Sequence, residues 1–221
     1  MGALTRLNTI NQMLLYSGES IVSDLDGASG VDTSIAEFIL DQKTIDYQER
    51  GLANNQRTER VTPAQDGRIK LRTDCISVTM VNPPAAQDDG PLQGLPSRIV
   101  TRGGYLYNMT DDTDYFDPTK QFDLNYVLEV EWEDMDTPIQ KAIMMQASRE
   151  YQMLSQGDPS ADSYLAALEG RYTAKAKGAD VKAKGYSILT QGDNAIKRIL
   201  GGRNMAFDPD RYRFYGPENY E

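Results

Sequence analysis

The sequence contains no histidine and only one cysteine, Cys75. Without histidine, a single chain cannot supply a Ser-His-Asp or Cys-His catalytic group or a His-ligated metal site. It also lacks the side chain that most often transfers protons near neutral pH. One cysteine cannot form a disulfide within the chain, so the fold must depend on packing. Several common kinds of catalytic centre are therefore excluded within one chain.

Long apolar runs are also missing. No segment approaches the ~18 consecutive apolar residues of a membrane-spanning helix, so we expect none. Residues 1–6 lack a basic region followed by an apolar run, so we expect no secretory signal there. Hydrophobic residues make up 39% and charged residues 25% of the 221 residues, which is typical of a globular protein. This length favours one domain, or one domain with an insert.

The charge is acidic overall and unevenly distributed. The net charge of -10 argues against duplex DNA as the main ligand. Residues 170–203 contain eight basic and two acidic residues, a net charge of +6, which leaves -16 for the rest of the chain. A basic arm on an acidic body predicts contact with the acidic face of a partner, such as another copy of the chain.

Apolar residues recur at helical spacing in four segments, which predicts helices over residues 3–16, 32–50, 137–156 and 160–184. Ser34 and Glu37 have the spacing of a capping box at the start of the second helix. A cap followed by proline at residues 136–138 suits the start of the third. The apolar stripe of the second helix consists of Ile35, Phe38, Ile39 and Ile45.

Between these helices, the pattern changes to that of strands. Residues 67–81 predict one or two strands, and residues 97–101 and 105–108 predict a hairpin around Gly103-Gly104. Residues 126–132 alternate most clearly, which places Trp132 on the same face of the strand as Tyr126. Trp132 is expected to be a core residue where strands and helices meet, and Cys75 a buried small hydrophobe.

Helices from both ends of the chain can pack together only if the strands leave the bundle as an insert. The predicted fold class is therefore α+β: an antiparallel helical bundle with an inserted β-rich domain and an extended C-terminal arm. The predicted domains are the bundle (residues 1–53 and 134–190), the β-rich insert (54–133) and the arm (191–221).

An ordered set of phrases between residues 3 and 190 resembles a known family. The phrases are Leu4-Thr5-Arg6-Leu7-Asn8, Leu15-Tyr16-Ser17-Gly18-Glu19-Ser20, Val22-Ser23-Asp24-Leu25, Gly94-Leu95-Pro96-Ser97-Arg98, Tyr105-Leu106-Tyr107, Trp132-Glu133-Asp134-Met135 and Gly157-Asp158. Together they are similar to tail tubular protein A, the head-to-tail adaptor of short-tailed bacteriophages (podoviruses). No single phrase is a chemical signature, and the order of the set carries the resemblance.

The resemblance implies a structural virion protein, not an enzyme, with no cofactor and no metal. Such adaptors form a ring, usually of twelve copies, between the portal protein and the tail nozzle protein (tail tubular protein B). The ring would lie in the neck of the virion tail, after synthesis in the host cytoplasm, with no membrane partner. DNA would pass through the lumen without tight binding, which an acidic or neutral wall favours because it makes few attractive phosphate contacts.

Two groups of residues are predicted to bind partners. Lys175, Lys177, Lys182 and Lys184 could form a subunit contact, an ordinary helix surface or a nucleic-acid patch, although no aromatic residues interleave with them as a stacking platform requires. Arg and aromatic residues near the C-terminus are of the types that dominate interface hot spots, and the alternative is a terminus that is disordered outside an assembly. The second group consists of Arg211, Tyr212, Arg213, Phe214 and Tyr215.

Two acidic clusters raise other functions. A calcium loop around Asp111, Asp112, Asp114 and Asp117 would lack the glycine at position six and the glutamate at position twelve of an EF-hand, so a solvated turn is predicted. Carboxylates at Glu129, Glu131, Glu133, Asp134 and Asp136 raise the alternative of a tail-associated polysaccharide or cell-wall hydrolase. That activity needs a cleft and a carboxylate of raised pKa. A further alternative is a monomeric interaction domain without a viral role.

Overall fold

The computed structural model describes residues 4–25, 30–84 and 96–185. The helices are α1 (Arg6–Tyr16), α2 (Val31–Gln48), α3 (Thr137–Ser155) and α4 (Pro159–Ala183). The strands are β1 (Gln56–Val61), β2 (Cys75–Met80), β3 (Ile99–Arg102), β4 (Tyr105–Asn108) and β5 (Phe122–Leu128). The α+β class and the four predicted helices are confirmed, with helix ends that differ from the prediction by at most three residues. All of these elements belong to a compact unit that ends at Ala183, and a second unit begins at Lys184.

Both ends of α1 follow from local hydrogen bonding. The Thr5 hydroxyl accepts a hydrogen bond from the Asn8 backbone N–H, which caps the start of the helix. Gly18, with φ of 70°, follows the last turn, and the backbone N–H of Glu19 returns to the carbonyl of Leu14. A left-handed glycine with this return bond is the common way to satisfy the last carbonyls of a helix. The predicted end of α1 at residue 16 is confirmed.

The predicted capping box of α2 is wrong. The helix begins at Val31, and Gly30 is its N-cap without a side-chain hydrogen bond. Ser34 lies inside the first turn, where its backbone N–H donates to the carbonyl of Gly30. The helix starts one turn before the position that a Ser34 cap requires, so spacing alone gave a false signal.

The helical bundle is built around α3, which packs against α1, α2 and α4. Consecutive helices run antiparallel, as predicted. The N-terminal end of α1 meets the start of α3, where the Leu4 backbone N–H donates to Gln140 at 3.1 Å. The side chains of this core are fully or almost fully buried, which is the main source of stability for such helices. They include Ile10, Met13, Leu14, Ala36, Ile39, Leu40, Ile139, Ile143 and Tyr151.

The β part has a core of its own. β5 is the centre of a three-stranded antiparallel sheet of order β1-β5-β2, and β3 and β4 form the predicted hairpin. Gly103 and Gly104 both have positive φ, as a tight two-residue hairpin turn requires. The buried side chains behind the sheets are Ile69, Met80, Leu106, Phe116, Phe122, Leu124 and Tyr126. This second cluster explains why the strands can leave the bundle as an insert.

The clearest predicted strand is displaced along the chain. We predicted residues 126–132, but β5 ends at Leu128, and Trp132 begins a single 3₁₀ turn, Trp132–Asp134. The apolar residues of this segment do alternate, but they pack in two different cores: Tyr126 in the β core, and Val130 and Trp132 in the helical core. The alternating pattern in the sequence therefore extends beyond Leu128, where the chain leaves the sheet.

Side-chain amides connect the helices to the β part. The Gln48 side chain accepts a hydrogen bond from the Val130 N–H at 2.7 Å and donates to the Val130 carbonyl at 3.1 Å. The Trp132 indole N–H donates to the Leu4 carbonyl at 2.7 Å. Trp132 is buried in the helical core, so its predicted place where strands and helices meet is confirmed. Cys75, predicted to be buried, is only half-buried at the edge of the β core.

The predicted domain boundaries at residues 53, 133 and 190 stay predictions. Among the residues that the structure describes, no helix is long and apolar enough to cross a membrane.

Candidate assembly surfaces

The predicted lysines occupy the C-terminal half of α4. Lys175, Lys177 and Lys182 are exposed, and the Lys175 ammonium lies 5.4 Å from the centre of the Tyr172 ring. Arg171 is exposed on the same half of the helix. Lys184 lies beyond the end of α4, at the start of the second unit. Three of the four predicted lysines thus share one helix surface, and their partner-binding role stays a prediction.

The acidic side chains of α4 are turned away from this surface. Asp162 and Glu169 both bind the Arg149 guanidinium of α3, at 2.6 and 3.1 Å. Asp180 accepts a hydrogen bond from the Ala53 backbone N–H at 2.6 Å. All three carboxylates are half-buried, so the outward face of α4 is left with cationic side chains.

Small residues line the middle of that outward face. Ala167, Gly170, Ala174 and Gly178 are exposed and, at 3.6 residues per turn, fall within about 80° of arc. A Cβ atom added to Gly170 or Gly178 would meet no atom of the described residues within 4 Å. Glycine inside a helix costs ~1 kcal/mol relative to alanine, and nothing in the described part of the subunit approaches closely enough to need either glycine. The result is a stretch of helix surface without large side chains from Ala167 to Gly178, which ends at the exposed Val181 and is flanked by Arg171, Lys175, Lys177 and Lys182. We call it the α4 groove.

The outward face of α2 has the opposite character. Val31, Ile35, Phe38 and Ile45 are exposed, with 75% of Val31 and 61% of Phe38 accessible to solvent. They also fall within about 80° of arc and form a ridge along the helix that is mainly apolar and also includes the exposed Gln42. Four exposed acidic residues lie beside this ridge or at its C-terminal end, and two of them pair within the subunit: Asp41 with Arg6 and Asp46 with Lys43. The four are Asp32, Asp41, Asp46 and Glu49. We call this surface the α2 ridge.

The α2 ridge corrects the sequence interpretation of this helix. Of the predicted apolar stripe, only Ile39 is buried, and Ile35, Phe38 and Ile45 are exposed. The buried face instead uses Thr33, Ala36, Leu40 and Tyr47 beside Ile39. A surface helix needs only one apolar face to pack against the subunit core, and α2 has two. Contiguous exposed apolar patches mark interaction sites.

The α2 ridge and the α4 groove lie on helices that flank α3. Both helices pack against α3 but scarcely contact each other. Lys43 of α2 binds Glu150 of α3 at 2.6 Å, next to the Arg149 that binds α4. These ion pairs line an open groove of about 490 Å³ between the three helices.

The acidic clusters show no catalytic arrangement in the described part of the chain. The five carboxylates that raised the hydrolase alternative are all exposed: Glu129, Glu131, Glu133, Asp134 and Asp136. The neighbouring Arg149 guanidinium lowers the pKa of Asp162, and the Thr119 hydroxyl and N–H lower that of Asp117. A hydrolase acid needs the opposite shift.

The aspartates considered for a calcium loop, and predicted to form a solvated turn, make contacts within the protein. Tyr107 donates to Asp112 at 2.6 Å, and Arg68 forms an ion pair with Asp114 at 2.8 Å. Asp111 accepts a hydrogen bond from the Asn108 amide at 2.7 Å. Within residues 4–25, 30–84 and 96–185, no group of three or more acidic or thiol side chains is placed to hold a metal ion.

The predicted C-terminal anchor, Arg211, Tyr212, Arg213, Phe214 and Tyr215, lies outside the described residues. Its partner-binding role stays a prediction.

A family model described as tail tubular protein matches residues 7–186. No curated protein matches the chain.

Proposed function

We propose, from the premise that the chain belongs to the tail tubular protein family, that it is the head-to-tail adaptor of a short-tailed phage. Membership makes it a structural component of the virion tail. More specifically, copies of the chain would form a ring that joins the portal protein to the tail nozzle protein and encloses the path of the ejected DNA.

The observation that carries this proposal is the α2 ridge. A monomeric subunit gains nothing from four large apolar side chains on the outward face of a helix that already buries another face. In a closed ring, each copy offers the same pair of surfaces to its two neighbours, so such a face becomes buried in every subunit. The last contact to form closes the ring within one assembly, where the effective concentration is high.

The charge distribution supports passage of DNA. Residues outside 170–203 carry a net charge of -16. A channel lined by the acidic body would make few attractive phosphate contacts and would let DNA slide, because each neutralised phosphate adds salt-dependent affinity. Assembled rings should therefore fail to retain linear duplex DNA in a gel-shift assay at physiological salt. Retention with an affinity that falls steeply with salt would contradict a non-binding lumen.

The decisive experiment is negative-stain electron microscopy of the purified protein, alone and mixed with its portal protein. Closed rings in at least one sample, co-purifying with the portal, are the expected result, with about twelve subunits by native mass spectrometry. Single subunits in both samples would refute the adaptor role and favour a monomeric interaction domain.

A truncated chain tests the proposed C-terminal anchor separately. Removing residues 204–221 leaves intact the unit that ends at Ala183, so far-UV circular dichroism should show no loss of helix. Portal binding should weaken, because aromatic and Arg side chains of this segment are of the types that dominate interface hot spots. Unchanged affinity for the portal would rule the anchor out.

A further inference from the structure

We infer that the α2 ridge of one subunit docks into the α4 groove of the next, in a head-to-tail contact that repeats around the ring. The inference rests on the proposed ring and adds the two surfaces that would form it. Its occupant is a second copy of this chain, because the two surfaces are complementary in shape, in charge and in position.

Shape is the first argument. Helices pack when the ridge of side chains on one fits between the side chains of the other. Phe38 and Ile45 project from α2, whereas Gly170 and Ala174 leave α4 without bulk at the centre of its outward face. Small residues at such a position let a second helix approach closely. The projecting side chains of α2 match the small residues of α4. A contact between two different surfaces is heterologous and builds a ring, whereas a twofold contact would join two identical surfaces.

Charge is the second argument. Asp32, Asp41, Asp46 and Glu49 lie along or beside the α2 ridge, and Arg171, Lys175, Lys177 and Lys182 flank the α4 groove. Asp41 and Asp46 also pair with Arg6 and Lys43 of the same subunit, so the repulsion between two α2 ridges would be weaker than that between two α4 grooves. Opposite charges across the pair fix its direction and disfavour the wrong pairing.

Position is the third argument. In a ring, each subunit uses two different surfaces at once, one toward each neighbour, so both must be accessible together. α2 and α4 each pack against α3 and scarcely contact each other, so a neighbour on the α2 ridge and another on the α4 groove can bind at the same time.

The groove is tested by two substitutions at one position. Gly170→Ala and Gly170→Leu both replace a helix-interior glycine that has open space beside it, so both should leave the subunit folded and raise its melting temperature. Only leucine fills the groove. We expect rings with Gly170→Ala and at least a tenfold loss of rings with Gly170→Leu, counted in the sample in which the unaltered protein forms them.

The pairing is tested by charge reversal. One variant carries Asp46→Lys and Glu49→Lys on α2, and the other carries Lys175→Glu and Lys177→Glu on α4. Each alone juxtaposes like charges at every contact and should not form rings. An equal mixture restores opposite charges at every contact if the two variants alternate, so rings should return with both chains present in equal amounts.

The outcomes separate the inference from the function on which it rests. If the unaltered protein forms no rings, the adaptor proposal fails, and this contact fails with it. If it forms rings and the Gly170→Leu and single-surface variants do so equally well, the adaptor role stands and the α2–α4 contact is refuted. A third outcome is that the charge variants remain folded by circular dichroism, form no rings alone and form none when mixed. This outcome also refutes the pairing, and it indicates different occupants for the two surfaces, such as the C-terminal segment or the portal.

Discussion

Gln48 provides the most direct test of how the helices hold the β part. Its side chain is fully buried, and its amide makes two hydrogen bonds to the backbone of Val130. The substitution Gln48→Met keeps the length and flexibility of the side chain but removes both bonds. The Val130 N–H and C=O then lose their partners at a position only partly open to water.

The magnitude follows from these two groups. A buried backbone group left without its hydrogen bond costs ~1–3 kcal/mol. Val130 is half-buried, so water can compensate in part, and the lower end of that range applies to each group. We expect the free energy of unfolding to fall by about 2–4 kcal/mol. With a urea dependence of about 2 kcal/mol per molar, the unfolding midpoint should drop by about 1–2 M.

The protein has a natural probe for this measurement. Trp132 is the only tryptophan and lies two residues after Val130. Urea unfolding followed by tryptophan fluorescence reports the place where helices and strands meet, and far-UV circular dichroism reports the helices. In Gln48→Met, we expect the fluorescence transition to move at least as far as the dichroism transition. Repeating the titration at two protein concentrations shows whether self-association contributes.

A matched substitution on the same helix serves as the control. Gln42 is exposed, so Gln42→Met changes the same chemical group without removing a buried hydrogen bond. Its midpoint should stay within about 0.3 M of the unaltered protein, since surface substitutions usually change stability by less than ~0.5 kcal/mol. An equally small shift in Gln48→Met would refute the view that the amide anchors Val130.

Three further predictions concern the bundle. The Tyr151 hydroxyl is buried without a hydrogen-bond partner among the described residues, and burial raises the pKa of Tyr151 to about 12. Tyr151→Phe should therefore leave the urea midpoint unchanged or raise it, and it should remove one late step from the alkaline phenolate titration. A clear loss of stability would show that the hydroxyl is bonded. Because the pKa of Asp162 is lowered by Arg149, the stabilisation that this pair contributes should be complete above the ordinary pKa of aspartate, about 4, and should be lost as the pH falls through the folded-state pKa. The difference in melting temperature between the unaltered protein and Asp162→Asn should therefore be constant from pH 5 to 7 and shrink below pH 4. A constant difference down to pH 2 would contradict this reasoning. Gly178→Ala should stabilise the subunit by about 1 kcal/mol, because the added methyl group meets no atom of the described residues within 4 Å. The melting temperature should rise by about 2–4 °C. A lower melting temperature would mean that the glycine is needed within the subunit.

The helices were predictable because their signals are local and strong. Turn residues such as Gly18 end the helices where the sequence indicates. β1 was missed for the opposite reason: most of Gln56–Val61 is polar or charged and exposed, so it lacks the apolar alternation that marks a strand. It forms a strand because β5, the buried centre of the sheet, pairs with it along its whole length.

The candidate surfaces were only half visible in the sequence. A cluster of lysines is evident from composition, so the charged side of the α4 groove could be predicted. The α2 ridge could not, because an exposed apolar residue and a core residue look alike in one sequence. Phe38 and Ile39 are neighbours in the sequence, and which of the two faces α3 is a property of the packed bundle.

The polar edge formed by β1 has a consequence for how copies of this chain meet. Arg57, Glu59 and Arg60 lie along an outer strand of the sheet, and Arg60 is bound to Asp123 of the neighbouring strand. Charged side chains at a sheet margin discourage the strand-to-strand joining that leads to fibrils. Crowding many subunits around one axis would otherwise favour such growth. In the proposed ring, the charged β1 edge should therefore keep neighbouring copies from pairing strand to strand, which would limit the assembly to the contacts that close the ring.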